Sequence, residues 1–211
     1  GVAARLRKVK TAVHEAGLDH ENQCVQAVSH SYANAPKKEA SETTVIELGK
    51  TIGTQWQCYD GATGEDTVSF APTDKYSGKR LEDIRIEADF YSLLDWKTNY
   101  KKVEVTGMAK VDGEDAYKIS FVPEKGTGFT EYYSTKTYLL LRREGLIASS
   151  TSDQQIQFTI LYSYYRDVDG VKMPFKTINS NIAYGHFFTI VKSVKPNRPL
   201  DDTLFVPRKV N

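Results

Sequence analysis

At 211 residues the chain amounts to one large or two small domains, long enough to bury a core without disulfide staples. Lys plus Arg number 28 and Asp plus Glu 27, so the net charge of +1 excludes the basic excess with which a general nucleic-acid binder neutralises phosphates. No apolar run reaches the length of a helical membrane span, and 13 Tyr and 9 Phe against 2 Met point to a β-rich chain.

Val2, Leu6, Val9 and Val13 fall at helical spacing, which predicts the tail of a helix running into a first strand near Val9 to His14. Gly17 to Asn22 reads as a turn-rich link. Gln23 to Tyr32 reads as a strand, broken at Asn34-Ala35-Pro36. Lys38 to Leu48 and Thr51 to Tyr59 form a hairpin across Gly49-Lys50, and Gly61 to Pro72 reads as a loop. Ser77 is expected to cap a helix through its hydroxyl, with Leu81, Ile84 and Ala88 as the apolar stripe. A second short helical piece is expected over Phe90 to Trp96.

Strands then resume. Lys102 to Lys110 pairs with Ala116 to Val122 across Asp112-Gly113, and Thr130 to Tyr133 and Tyr138 to Arg143 follow. Gln155 to Arg166 turns back at Asp169-Gly170 into Met173 to Asn181, and His186 to Val194 comes last. The tail from Pro196 to Pro207 is expected to lie extended against a sheet edge. The sum is about ten strands with two helical regions. A sheet that long must curl, because twist accumulates strand by strand, and its hollow is the natural place for helices with an apolar face to bury. The expected fold class is mainly β with a few helices (α+β), in one domain over 1–211. It is a curled antiparallel sheet forming an incomplete barrel, with helices packed in or over the concave face.

Sites of chemistry are few. His14, His20, His30 and His186 lack metal-binding spacing and read as surface residues. Asp167-Val168-Asp169-Gly170 reads as a hairpin turn rather than a calcium loop, and Gly126-x-Gly128 as a bend. Ser29 and Ser31 flank His30 but point to the opposite face of a strand, so no nucleophile–base pair arises there. Glu82, Asp83, Glu87 and Asp89 read as a solvated helix face partnered by Arg80 and Arg85. Cys24 and Cys58 lie on strands with another between them, roughly 10 Å apart by strand spacing, and are expected unbridged. No catalytic set, metal site or cofactor motif assembles.

Several phrases occur in an order that is informative as a set. They are Tyr32-Ala-Asn-Ala-Pro36-Lys37, Tyr59-Asp60-Gly61, Leu93-Leu-Asp-Trp96, Val105-Thr-Gly107 with Val111-Asp-Gly113 and Ala116-Tyr117, Tyr132-Tyr133-Ser-Thr-Lys136, Tyr165-Arg-Asp-Val-Asp-Gly170-Val-Lys-Met-Pro174-Phe175, and Pro199-Leu-Asp-Asp-x-Leu204-Phe205. Together the chain resembles the outer-membrane lipoprotein-sorting (LolA/LolB-like) superfamily over roughly Ala4 to Pro207. The resemblance implies a half-open barrel closed by helices, a periplasmic or cell-envelope location after export, and a non-enzymatic carrier whose cavity shields acyl chains. It also implies a leading helix, here cut short at Gly1. On that basis Trp56, Phe90, Leu93, Leu94, Trp96, Phe121, Phe158 and Phe188 are the expected lining of an apolar cavity for a lipid or a lipidated partner. Peripheral membrane contact is allowed, and nucleic acid is not expected. The alternative is a protein–protein interaction module of the envelope whose cavity is filled by its own side chains.

Overall fold

A computed structural model describes residues 1–21, 24–150, 154–182 and 185–210. The strands are β1 (Thr11–His20), β2 (Val25–Asn34), β3 (Lys38–Glu47), β4 (Lys50–Tyr59), β5 (Gly64–Val68), β6 (Asp74–Lys75), β7 (Tyr100–Val111), β8 (Glu114–Pro123), β9 (Phe129–Ser134), β10 (Leu140–Ala148), β11 (Gln155–Val168), β12 (Val171–Asn181) and β13 (Gly185–Pro196). The helices are α1 (Val2–Leu6), α2 (Gly78–Glu87) and α3 (Trp96–Asn99), with a 3-10 turn over Asp202–Phe205.

All thirteen strands lie in one antiparallel sheet, in the order β6-β5-β4-β3-β2-β1-β13-β12-β11-β10-β9-β8-β7. Two meanders, β1–β6 and β7–β13, are joined along β1 and β13, so the first and last strands meet in the middle of the sheet. The sheet does not close. Its edges are β6, two residues long, and β7, which carries Lys101, Lys102 and Lys110. Short edges and edge lysines are the ordinary defence against edge-to-edge pairing.

Local chemistry explains the hairpins. Asp112-Gly113 and Asp169-Gly170 both take positive φ at both residues, the two-residue turn whose twist matches the flanking strands. Asp167 steadies the second turn by accepting from the Gly170 backbone N–H at 2.7 Å.

Several expectations need correction. Gly17 to His20 continues β1 instead of turning, because the strand is held on both sides by β2 and β13. The stretch read as a loop contains β5, paired to β4 through Gln55↔Val68 to Tyr59↔Gly64. Phe90 to Leu94 forms turns, held where the Phe90 N–H reaches the Pro36 carbonyl at 3.0 Å, and helix begins only at Trp96. Ser77 occupies the N-cap of α2, but its hydroxyl donates to the Ser150 carbonyl at 2.8 Å instead of capping.

The tail does not follow an edge. Phe205 is buried on one face of β3 and β4 against Ala40, Trp56 and Cys58, with Tyr32, Leu200 and Leu204 around it. Cys58 is buried and Cys24 exposed, and both are free thiols.

Candidate functional site

Helix α2 lies in the concave face. Its Ile84 and Ala88 pack with Leu81 on Tyr59 and Tyr76. Its Asp83 accepts from the Thr127 backbone N–H in the β8–β9 loop, and the helix also approaches β10. The helix thus touches both arms of the sheet, which is what a curled sheet around a plug requires.

Period-two alternation decides what looks at α2. Cross-strand register puts His14, Ser31, Ser41 and Gln57 in one row, with Ala12, Ala33, Glu39 and Tyr59 in the next. These rows and α2 enclose a hollow of about 420 Å³ whose lining includes His14, Ser29, Ser31, Glu39, Ser41, Gln57, Tyr76, Arg80, Ile84 and Glu87. That volume falls within the roughly 300–1,000 Å³ of small-molecule sites. About half of the lining is polar, against the expected apolar cavity. The reason lies in the parity of β1–β4. By parity the side chains of Tyr32, Ala40, Trp56 and Cys58 lie on the other face, under the tail, although Tyr32, Ala40 and Cys58 also border the hollow.

Each expected lining residue has a definite place, and none of the eight lines this hollow. Trp56 is 1% exposed on the opposite face, where its indole N–H donates to the Val206 carbonyl at 3.1 Å. Phe188 also faces away, pairing with Asp19 and Ile178, and lies under the Lys176 ammonium at 5.6 Å. Phe90, Leu93, Leu94 and Trp96 follow α2 in the linker, with Phe90 edge-on to Tyr91 and Leu93 and Trp96 exposed.

Phe121 and Phe158 do share the concave side. Phe121 stacks on Phe129 at 5.0 Å and meets Tyr100 edge-on at 5.2 Å. A Cβ built on Gly145 would touch both Phe129 and Phe158, so those rings crowd over the same strand. Next to them Arg143 donates from Nε to Glu131 at 2.8 Å, with Glu131 1% exposed.

The electrostatics of the hollow were not legible in advance. Glu39 has no hydrogen-bond or ion-pair partner among the described residues, and burial, reinforced by the Glu87 charge, pushes its carboxyl up to about 7. Glu87 borders the hollow with 51% of its side-chain surface accessible, and desolvation raises its carboxyl too, opposed by Arg80. Arg80 lies 3.6 Å from Glu87 and 5.4 Å from the Tyr76 ring centroid. Burial pushes His14 down, toward the neutral imidazole. His14 is therefore half-buried on the wall of the hollow, on mid-sheet strand β1, rather than on the outer surface. Asp83 and Asp89 are likewise buried rather than solvated, although Arg85 does pair with Glu82 at 3.0 Å. Ser41 donates to Gln57, which donates in turn to Asp66 at 2.9 Å, so the wall is an ordered polar network. Among the described residues no group of three or more His, Cys, Asp or Glu is placed to hold a metal ion. None of the described helices is long and apolar enough to cross a membrane.

No family model and no curated sequence matches the chain. Solved structures do. A DUF1329 family protein from Desulfovibrio piger superposes with a TM-score of 0.62 at 16% identity, covering 97% of this chain and 93% of that one. A putative outer membrane lipoprotein-sorting protein domain from Vibrio parahaemolyticus gives 0.58 at 12% identity, covering 97% and 94%. A LolA superfamily protein from Nitrosomonas europaea gives 0.57 at 11%, covering 94% and 90%. The chain has a LolA-like fold, an incomplete antiparallel barrel with helical pieces in its hollow.

Proposed function

We propose that this chain is a single-domain, non-enzymatic protein of the periplasm or cell envelope that binds an amphipathic lipid, free or attached to a protein, in the concave face of its sheet. The observation that carries the reading is the unfilled hollow between α2 and β1–β4 in a LolA-like fold. A module that only displayed its surface would have no need to leave such space, since interiors ordinarily pack without voids. The walls divide the ligand. The polar rows of β1–β4 suit a headgroup, and the aromatic side at Phe121, Phe129 and Phe158 suits the start of an acyl chain. Each methylene of ligand buried there contributes about 0.8 kcal/mol.

The test is mass spectrometry of organic extracts from natively purified protein, with melting temperature followed as lysophospholipids are added. A co-purifying lipid, or a rise in melting temperature with dose, is expected. No lipid and no rise would remove the reading. The interaction-module alternative keeps one observation in its favour. Leu48, Ile52 and Phe70, 81%, 50% and 73% exposed, crowd the tip of the β3–β4 hairpin, where Phe70 lies over Gly53.

A further inference from the structure

The hollow has a charge imbalance. Two carboxylates, Glu39 and Glu87, face it, and Arg80 is the one cation on its walls. Arg80 is already engaged with Glu87 and with the face of Tyr76. The Arg143 guanidinium is held by Glu131, and His14 is pushed toward its neutral form by burial. One carboxylate is therefore in excess, and it is Glu39, which has no partner among the described residues. A buried carboxylate without a partner is costly, and a protein normally supplies a cation or a donor. Here the space beside it is left open instead.

We propose that Glu39 is the anchor of a cation-binding subsite in the hollow, taking the protonated amine of a ligand between Glu39 and Glu87. This rests on the ligand-binding reading above and deepens it by naming the head chemistry. An ammonium carries three donors, which matches the acceptors on offer, two carboxylates and the Ser31 and Ser41 hydroxyl oxygens of the neighbouring rows. Below pH about 7 Glu39 keeps its own proton, so an incoming ammonium displaces that proton to solvent. Binding of the amine therefore strengthens as pH rises through that value and levels off above it. The other titratable groups bordering the hollow are Arg80, Glu87, Tyr76, His14, Tyr32 and Cys58. Burial raises the Glu87 carboxyl, so its ionisation as pH rises adds to the same trend; burial holds Tyr76 above its ordinary range and pushes His14 toward the neutral imidazole.

The experiment is calorimetric titration of the whole chain at pH 8 and pH 5.5 with three probes. They are a lysophosphatidylethanolamine, a lysophosphatidylglycerol of the same acyl chain, both below their critical micelle concentration, and ethanolamine. The two lipids share chain and phosphate and differ in the amine. About tenfold tighter binding of the ethanolamine lipid is expected at pH 8, the scale of one close charge pair, shrinking at pH 5.5. Glu39→Gln should erase the preference while leaving circular dichroism unchanged and melting no lower than the parent's, and Glu87→Gln should weaken it in part. Equal binding of both lipids, or a preference that survives Glu39→Gln, overturns the amine subsite and leaves the lipid reading standing. Ethanolamine binding with the same Glu39 dependence, when neither lipid binds, keeps the subsite and removes the lipid reading. Binding of none of the three removes both.

Discussion

Arg143 on β10 lays its guanidinium across the neighbouring strand onto Glu131 of β9, with Nε donating to Oε1 at 2.8 Å. The same guanidinium sits 4.5 Å from the centroid of the Phe129 ring, and the Tyr133 hydroxyl donates to the other carboxylate oxygen. A charge pair is thus built into the floor of the concave face, next to its aromatic side.

Breaking that pair from one side leaves a buried charge without compensation. Arg143→Met is expected to destabilise the protein by about 3–5 kcal/mol, and the double variant with Glu131→Leu to recover most of the loss. Urea unfolding of the two single variants and the double variant checks this through the coupling between them.

Glu39 makes stability depend on pH. Its carboxyl titrates near 7 in the folded chain against about 4.3 in an unfolded one, so the native state holds the proton more tightly. Stability is therefore lost as pH rises from the unfolded value toward 7 and is flat beyond it. Relative to the parent, Glu39→Gln should gain stability across that window, reaching about 3–4 kcal/mol at pH 8. Paired denaturation curves at pH 4.5, 6 and 8 give the difference, and a constant difference across the series would contradict it.

The tail belongs to the core. Phe205 is 1% exposed, and Phe205→Ala should cost about 3–5 kcal/mol by opening a cavity over Ala40 and Cys58. Trp56 loses its cover in that variant, so its fluorescence should shift to the red. An unchanged spectrum would show that the tail does not shield it.

Two glycines should respond in opposite ways. A Cβ on Gly64 would stand 2.2 Å from the Cys58 carbonyl oxygen and 2.9 Å from the Tyr76 ring, so Gly64→Ala must part β4 from β5 and should cost about 1–3 kcal/mol. On Gly17 the nearest atom is the flexible end of Lys192 at 3.6 Å, and Gly17→Ala should stay within about 0.5 kcal/mol of the parent. Melting temperatures of the two variants decide both.

Local patterning carried much of the fold. Asp112-Gly113 and Asp169-Gly170 announced their hairpins, since only a few residue types tolerate paired positive φ, and alternation in stretches such as Phe158 to Tyr165 announced strands. β5 escaped because Gly64-Glu-Asp-Thr-Val68 has the composition of a loop and is a strand only because Gln55 and Gln57 of β4 bind its Asp66. For the same reason Gly17 to His20 looked like a turn until two neighbouring strands claimed it.

By itself, then, the order of residues determined the class of the molecule, a long antiparallel sheet that has to bend around its central helix. Alternation and turn chemistry are local and survive being read along a line. Which face of each strand looks inward was decided only by tertiary structure, because period two is satisfied equally well by either parity. Burial of Trp56 beneath a tail 150 residues away turned the apolar rows of β2–β4 outward, and the polar rows carrying Glu39 and Gln57 were left to line the hollow.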